Sequence, residues 1–214
     1  MTNIDKVILQ MMQVMLQNKL PAIDRIEEES HDPFKVLVGT LLSARTKDET
    51  TDAVCRRLFK RVSSYHDLKH LSLIELEELI KPIGFYHTKA RHLQRLPHVL
   101  EERFAGIIPR TIEELILLPG VGRKTANLVL VIAFKIPAVC VDTHVHRIMN
   151  RLGYVSTKTS LETEMALRGK LPVKHWLVFN SCFVSYGQHV CLPRNPRCNE
   201  CRIFSECERV GVNR

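Results

Sequence analysis

The stretch Leu118-Pro119-Gly120-Val121-Gly122-Arg123-Lys124-Thr125-Ala126 decides how this chain folds. Thr111-Ile112-Glu113-Glu114 just before it matches a capping box, so a helix leads into it. Two glycines in three positions permit a tight turn and a close approach of backbone to another molecule. A second helix opens at once, and the free N–H groups of its first turn point outward and favour an anion. In outline this is a helix–hairpin–helix phosphate grip. It is not a Walker A loop, which needs four residues between its glycine and Gly-Lys-Ser/Thr. A helix-to-helix turn with no ligand carries the same two glycines.

Helical spacing extends on both sides of this turn. Ile4, Val7, Ile8, Met11, Met12, Met15 and Leu16 recur at i, i+3, i+4 and i+7, which predicts an amphipathic N-terminal helix. Ser72-Leu73-Ile74-Glu75 and Thr159-Ser160-Leu161-Glu162 match the capping box as well. Pro21, Pro33, Pro82, Pro97, Pro109, Pro119, Pro137 and Pro172 read as falling between periodic segments. Val139-Cys140-Val141 is the best strand-like run and is too short to assign. The expectation is an all-α chain of about nine or ten helices. The segment from Lys81 to Ala90 weakly echoes the one from Leu118 to Ala126, each a helix end, a glycine turn and a helix opening with a lysine.

Composition sets the bounds. The 214 residues carry 31 Lys+Arg against 23 Asp+Glu, a net charge of +8, which makes an anionic partner, nucleic acid first, the leading expectation. Seven cysteines are too few for a secreted disulfide scaffold of this length. No apolar run approaches the roughly 20 residues of a membrane helix, and the N-terminus lacks the basic start and cleavage site of a signal peptide. The expectation is a cytoplasmic, nucleoid-associated monomer with reduced thiols and no membrane partner.

Four of the cysteines cluster as C-x6-C-x2-C-x5-C: Cys191, Cys198, Cys201 and Cys207. Four thiolates that close in sequence suit either a tetrahedral zinc or an iron–sulfur cluster, and the spacing leaves both open. Between the first two lies Leu192-Pro193-Arg194-Asn195-Pro196-Arg197, stiffened by two prolines and armed with Arg194 and Arg197. Such a loop could place guanidinium groups on phosphates, or be a solvated surface loop. Cys55, Cys140 and Cys182 are scattered and read as packing residues.

Lys124 falls in the first turn of the second helix, beside Arg123 and at the positive end of the helix dipole, where a cation is disfavoured. A neutral amine is a nucleophile suited to Schiff-base chemistry. Asp142 follows Val139-Cys140-Val141 and opens Thr143-His144-Val145-His146-Arg147, so it reads as a helix N-cap. It also reads as a carboxylate able to stabilise a developing sugar cation. His144 and His146 are two apart and cannot share a helix face, which excludes a two-histidine metal pair.

Taken together, Leu118 to Ala126, Val141-Asp142-Thr143-His144-Val145-His146-Arg147 and the four-cysteine pattern closely resemble the endonuclease III family. This is a branch of the helix–hairpin–helix DNA glycosylase superfamily. Further likeness lies in Leu41-Leu42-Ser43-Ala44, Ile83-Gly84-Phe85-Tyr86, Lys174-His175-Trp176 and the eighteen-residue step from Lys124 to Asp142. The resemblance implies a six-helix barrel over residues 25–135 that holds the hairpin. It implies a second helical domain from residues 1–24 and 136–214, carrying a [4Fe–4S] cluster on the four clustered cysteines.

The activity it implies is a DNA glycosylase with AP lyase activity on double-stranded DNA containing damaged bases or abasic sites, with oxidised or ring-saturated pyrimidines removed. Lys124 would attack the sugar, Asp142 would stabilise the charge, and β-elimination would nick the strand. Related adenine glycosylases keep the aspartate but lack the lysine. Gly120, Gly122, Arg123, His144, Arg194 and Arg197 are expected to meet DNA, together with Arg45 and Phe85. Arg45 stands where many members carry Gln to fill the gap left by a flipped base. Phe85 stands at a wedge position where a smaller aliphatic is usual, and could equally be core. A glycosylase for mismatched thymine or uracil, and a non-catalytic DNA-binding module, are the alternatives.

Overall fold

A computed structural model describes residues 2–212. Among them are twelve α-helices and no strand. In chain order they are α1 (Ile4–Leu16), α2 (Ala22–Ser30), α3 (Pro33–Ser43), α4 (Asp48–Leu58), α5 (Tyr65–Lys69) and α6 (Leu73–Ile80). Then follow α7 (Tyr86–Phe104), α8 (Ile112–Leu115), α9 (Arg123–Phe134), α10 (Thr143–Arg151), α11 (Ser160–Lys170) and α12 (Phe179–His189). Three single 3-10 turns lie after α11. The excess over nine or ten comes from pieces such as α5, five residues long and too short for a hydrophobic period to register. No helix among the described residues is long and apolar enough to cross a membrane.

The chain divides into two compact units, one of residues 22–136 and one of residues 1–21 with 137–214. In the first, α3 is the central element. Its Phe34, Val36, Leu37, Val38, Leu41 and Leu42 are buried, and it packs against α2, α4, α7 and α9. A helix hydrophobic all round must be covered all round. Around it, α2, α4 and α7 each offer one apolar face, whereas α9 is buried all round over residues 126–132. In the second unit α1 packs on α12, α12 on α10, and α10 on α11. Their core holds Val7, Ile8, Met11, Ile148, Met149, Phe179, Phe183 and Tyr186.

Local signals explain where helices begin. The Ser72 box closes in both directions: Ser72 Oγ accepts from the Glu75 amide at 3.3 Å, and Glu75 accepts from the Ser72 amide at 2.9 Å. Thr111 and Thr159 accept from the Glu114 and Glu162 amides at 3.3 and 3.2 Å. Pro97 is a correction, since it lies inside α7 rather than between segments. It forfeits its own N–H, but Leu93, Leu96, Pro97 itself and Leu100 are all buried along that face, and the helix continues through it. Val139, Cys140 and Val141 run buried and outside any strand, with the Cys140 carbonyl accepting from Asn180 Nδ2 at 3.1 Å.

Candidate active site

The glycine turn between α8 and α9 is anchored by its apolar residues. Leu118 and Val121 are buried, and the Val121 amide donates to the Leu118 carbonyl at 3.1 Å. The two glycines have different reasons. Gly120 has φ +77°, and a Cβ there would run into the His92 ring, so the fold itself demands glycine. Gly122 has φ −97°, open to any residue, and a Cβ there would meet nothing within 4 Å. The fold does not require that glycine. Its bare backbone forms the N-cap of α9 and leaves the start of the helix uncovered by any side chain of residue 122.

Arg123 and Lys124 are the first two residues of α9, and both are exposed. Lys89, at the matching place in the echo segment, has a different fate. It is the fourth residue of α7 and only 8% exposed. Its ammonium donates to the carbonyls of Leu42 at 2.8 Å and Ala44 at 2.6 Å. Burial pulls its pKa down to about 8. Burying an ammonium costs several kcal/mol, and charge-assisted bonds of roughly 1.5–3 kcal/mol each offset this. Lys89 is therefore committed to holding the end of α3, and Lys124 is the lysine presented to solvent.

Asp142 belongs to the other unit and caps α10. Its Oδ1 accepts from the His144 amide at 2.9 Å and the Val145 amide at 2.8 Å. Oδ2 takes neither amide. The cap thus fixes the carboxylate through one oxygen, so the N-cap reading and the reading as a charged group are compatible. His146 turns toward α11, with Nδ1 2.7 Å from Thr163 Oγ1, while His144 Nδ1 lies 3.1 Å from Arg147 Nη2. The two histidines diverge, as their spacing requires.

The four clustered cysteines converge. Cys191, Cys198, Cys201 and Cys207 line one recess together with Ile148, Tyr186 and Phe204, and none is in a disulfide. Burial, reinforced by the neighbouring cysteines, pushes the Cys201 and Cys207 thiols up. Tyr186 Oη lies 3.2 Å from Cys201 Sγ. Among the described residues no three side chains of His, Cys, Asp or Glu close on a single point as around one ion. The convergence is onto a shared recess. Cys55, Cys140 and Cys182 are buried, and burial pushes the Cys55 thiol up to about 12.

Two residues that sequence reasoning missed join the cysteine loop to α10. Arg147 Nη2 donates to the carbonyls of Cys191 at 2.8 Å and Gly187 at 3.2 Å. Arg151 Nη1 donates to the Leu192 carbonyl at 2.7 Å and to Cys191 Sγ at 3.3 Å, and its Nη2 to the Pro193 carbonyl at 2.9 Å. Their i, i+4 spacing on one helix face was the available signal. Arg194 and Arg197 are exposed on that loop, whereas nearby Arg202 reaches Gln13 of α1 and Gln17, which caps its C-terminus.

Arg45 and Phe85 come together in the first unit. The Arg45 guanidinium sits 4.7 Å from the centre of the Phe85 ring, and the ring remains 59% exposed, so Phe85 is not core.

Residues 38–172 match the HhH-GPD superfamily of base excision DNA repair proteins. The chain is similar to endonuclease III of Thermotoga maritima, 46% identical over 177 residues that cover 83% of each chain. It is similar to endonuclease III of Bacillus subtilis, 41% identical over 86% of this chain and 84% of that one. A solved structure of a trapped endonuclease III–DNA covalent intermediate superposes with a TM-score of 0.78 at 35% identity. It covers 88% of this chain and 93% of that chain.

Proposed function

Because the chain belongs to the HhH-GPD superfamily of base excision DNA repair proteins and is a DNA glycosylase with AP lyase activity, we propose that it acts on oxidised or ring-saturated pyrimidines in double-stranded DNA through Lys124. The observation that carries this is the exposed lysine in the first turn of α9, two residues after a glycine that the fold does not itself require. A phosphate held on the α9 N-terminus would bring the adjoining sugar to the Lys124 amine. The amine attacks C1′ and the damaged base leaves. Asp142, fixed by its cap through Oδ1, offers Oδ2 to the oxocarbenium-like charge that builds on the sugar. The C1′–O4′ bond then opens to give the Schiff base, which acidifies the C2′ proton, and β-elimination expels the 3′ phosphate and breaks the strand. The flipped base leaves a gap in the stack, which Arg45 and Phe85 fill.

A panel of defined duplexes tests the substrate class. Strand nicking at thymine glycol and dihydrouracil, absent from undamaged DNA, is the expected result. Activity confined to G·T or G·U mismatches would replace this substrate class with mismatched thymine and uracil.

The four converging thiols fit a [4Fe–4S] cluster. They form an all-sulfur donor set in one partly buried recess, with a tyrosine hydroxyl and an arginine against two of the sulfurs. Bound there, the cluster supplies a cross-link and no open coordination position for substrate. Arg147 and Arg151 carry its loop to α10, the helix that Asp142 opens. The purified protein is expected to be brown, to contain iron and sulfide in equal amounts, and to lose both in the Cys198→Ser variant. Stoichiometric zinc without iron would contradict the assignment.

A further inference from the structure

Lys89 grips two separate turns at once. Its backbone amide donates to the Phe85 carbonyl at 3.1 Å, closing the start of α7. Its ammonium holds the carbonyls of Leu42 and Ala44 on the near side of Arg45, with Thr46 Oγ1 at 3.5 Å on the far side. The two turns also touch directly. The Gly84 amide donates to Thr46 Oγ1 at 3.3 Å, and a Cβ on Gly84 would come within 2.9 Å of the Arg45 carbonyl oxygen.

Arg45 and Phe85 both sit in the left-handed region, at φ +56° and +59°. Neither is glycine, and such residues hold this strained conformation only where their surroundings impose it. Lys89 and its bonds are the surroundings these two residues share. The outcome is a guanidinium lying on an aromatic ring that faces solvent. A flat, charged, exposed pair of this kind stacks on a nucleobase.

We propose that Lys89 is a positioning residue that locks the two turns together, so that Arg45 and Phe85 enter the DNA stack as one preassembled unit against the base opposite the lesion. The proposal rests on the repair function above, so its test reads binding and needs no turnover. The probe is a duplex with an uncleavable tetrahydrofuran abasic site opposite 2-aminopurine, measured against the undamaged duplex.

Lys89→Met and Arg45→Ala are each expected to weaken binding to the abasic duplex about tenfold, and the double variant no more than about twofold further. Binding to undamaged DNA should change by no more than about twofold in Lys89→Met, since the buried ammonium faces carbonyls and no phosphate. The 2-aminopurine fluorescence change seen on wild-type binding should be lost in both single variants. Should Lys89→Met fail to fold, Lys89→Gln, which keeps an amide donor to one carbonyl, enters the same cycle. Additive losses in the cycle, an equal loss on undamaged DNA, or an unchanged fluorescence response would overturn the proposal. Failure of the catalytic lysine assignment would leave this binding cycle unaffected.

Discussion

Replacing Lys124 by Gln is expected to lower strand nicking at an abasic site by at least ~10³-fold and to abolish covalent trapping by borohydride, while the protein stays folded. Gln and Lys have similar helix propensity and residue 124 is exposed, so stability should move by no more than about 0.5 kcal/mol. Affinity for abasic DNA should fall only modestly. The main-chain N–H groups at the α9 N-terminus remain, and the loss of one cation reduces the salt slope by about one. Single-turnover nicking, trapping gels and a salt titration of binding read the three effects separately. Trapping that survived in Lys124→Gln would transfer the chemistry to another amine. Lys89 is poorly placed for it, because its ammonium already donates to two carbonyls.

Asp142 allows its structural and chemical roles to be separated. Asn caps a helix as well as Asp does, so Asp142→Asn should leave stability nearly unchanged. It removes the carboxylate charge, and base release should fall by roughly 10²–10³-fold, the cost of losing one preorganised electrostatic contact. Asp142→Ala removes the cap as well. It should lose a comparable amount of activity and, in addition, about 1 kcal/mol of stability in urea unfolding. Equal activity in Asp142→Asn and the wild type would reduce Asp142 to a cap.

Much of the fold could be read because the chain marks helix starts with side chains that bond their own backbone. Ser72, Thr111, Thr159 and Asp142 each cap the helix expected of them. Where the signal is short, it was lost. The start of α5 is organised by Asp67, which accepts from the amides of Ser63 and Ser64, yet an aspartate in that position is outside the usual Glu or Gln pattern. Pro97 misled because proline normally ends a helix, and only the buried face around it shows why α7 does not stop.

The site was legible where chemistry depends on sequence neighbours and illegible where it depends on contacts across the fold. The glycine turn, Lys124 and the cysteine spacing are local. The contrast between Lys89 and Lys124 is not: both follow a glycine turn, and only tertiary packing buries one and exposes the other. The same holds for Arg147 and Arg151, whose targets lie about forty residues away in the cysteine loop and α12. It holds for Arg45 and Phe85, whose stacking needs two turns from distant parts of the chain.

In the proposed mechanism one exposed lysine at the start of α9 forms the covalent link to DNA. The most direct test is to trap wild-type protein on an abasic duplex with borohydride, digest it, and locate the modified lysine by mass spectrometry. A single adduct on Lys124 is the expected result. An adduct on another residue, or no adduct under conditions where the strand is nicked, would contradict it.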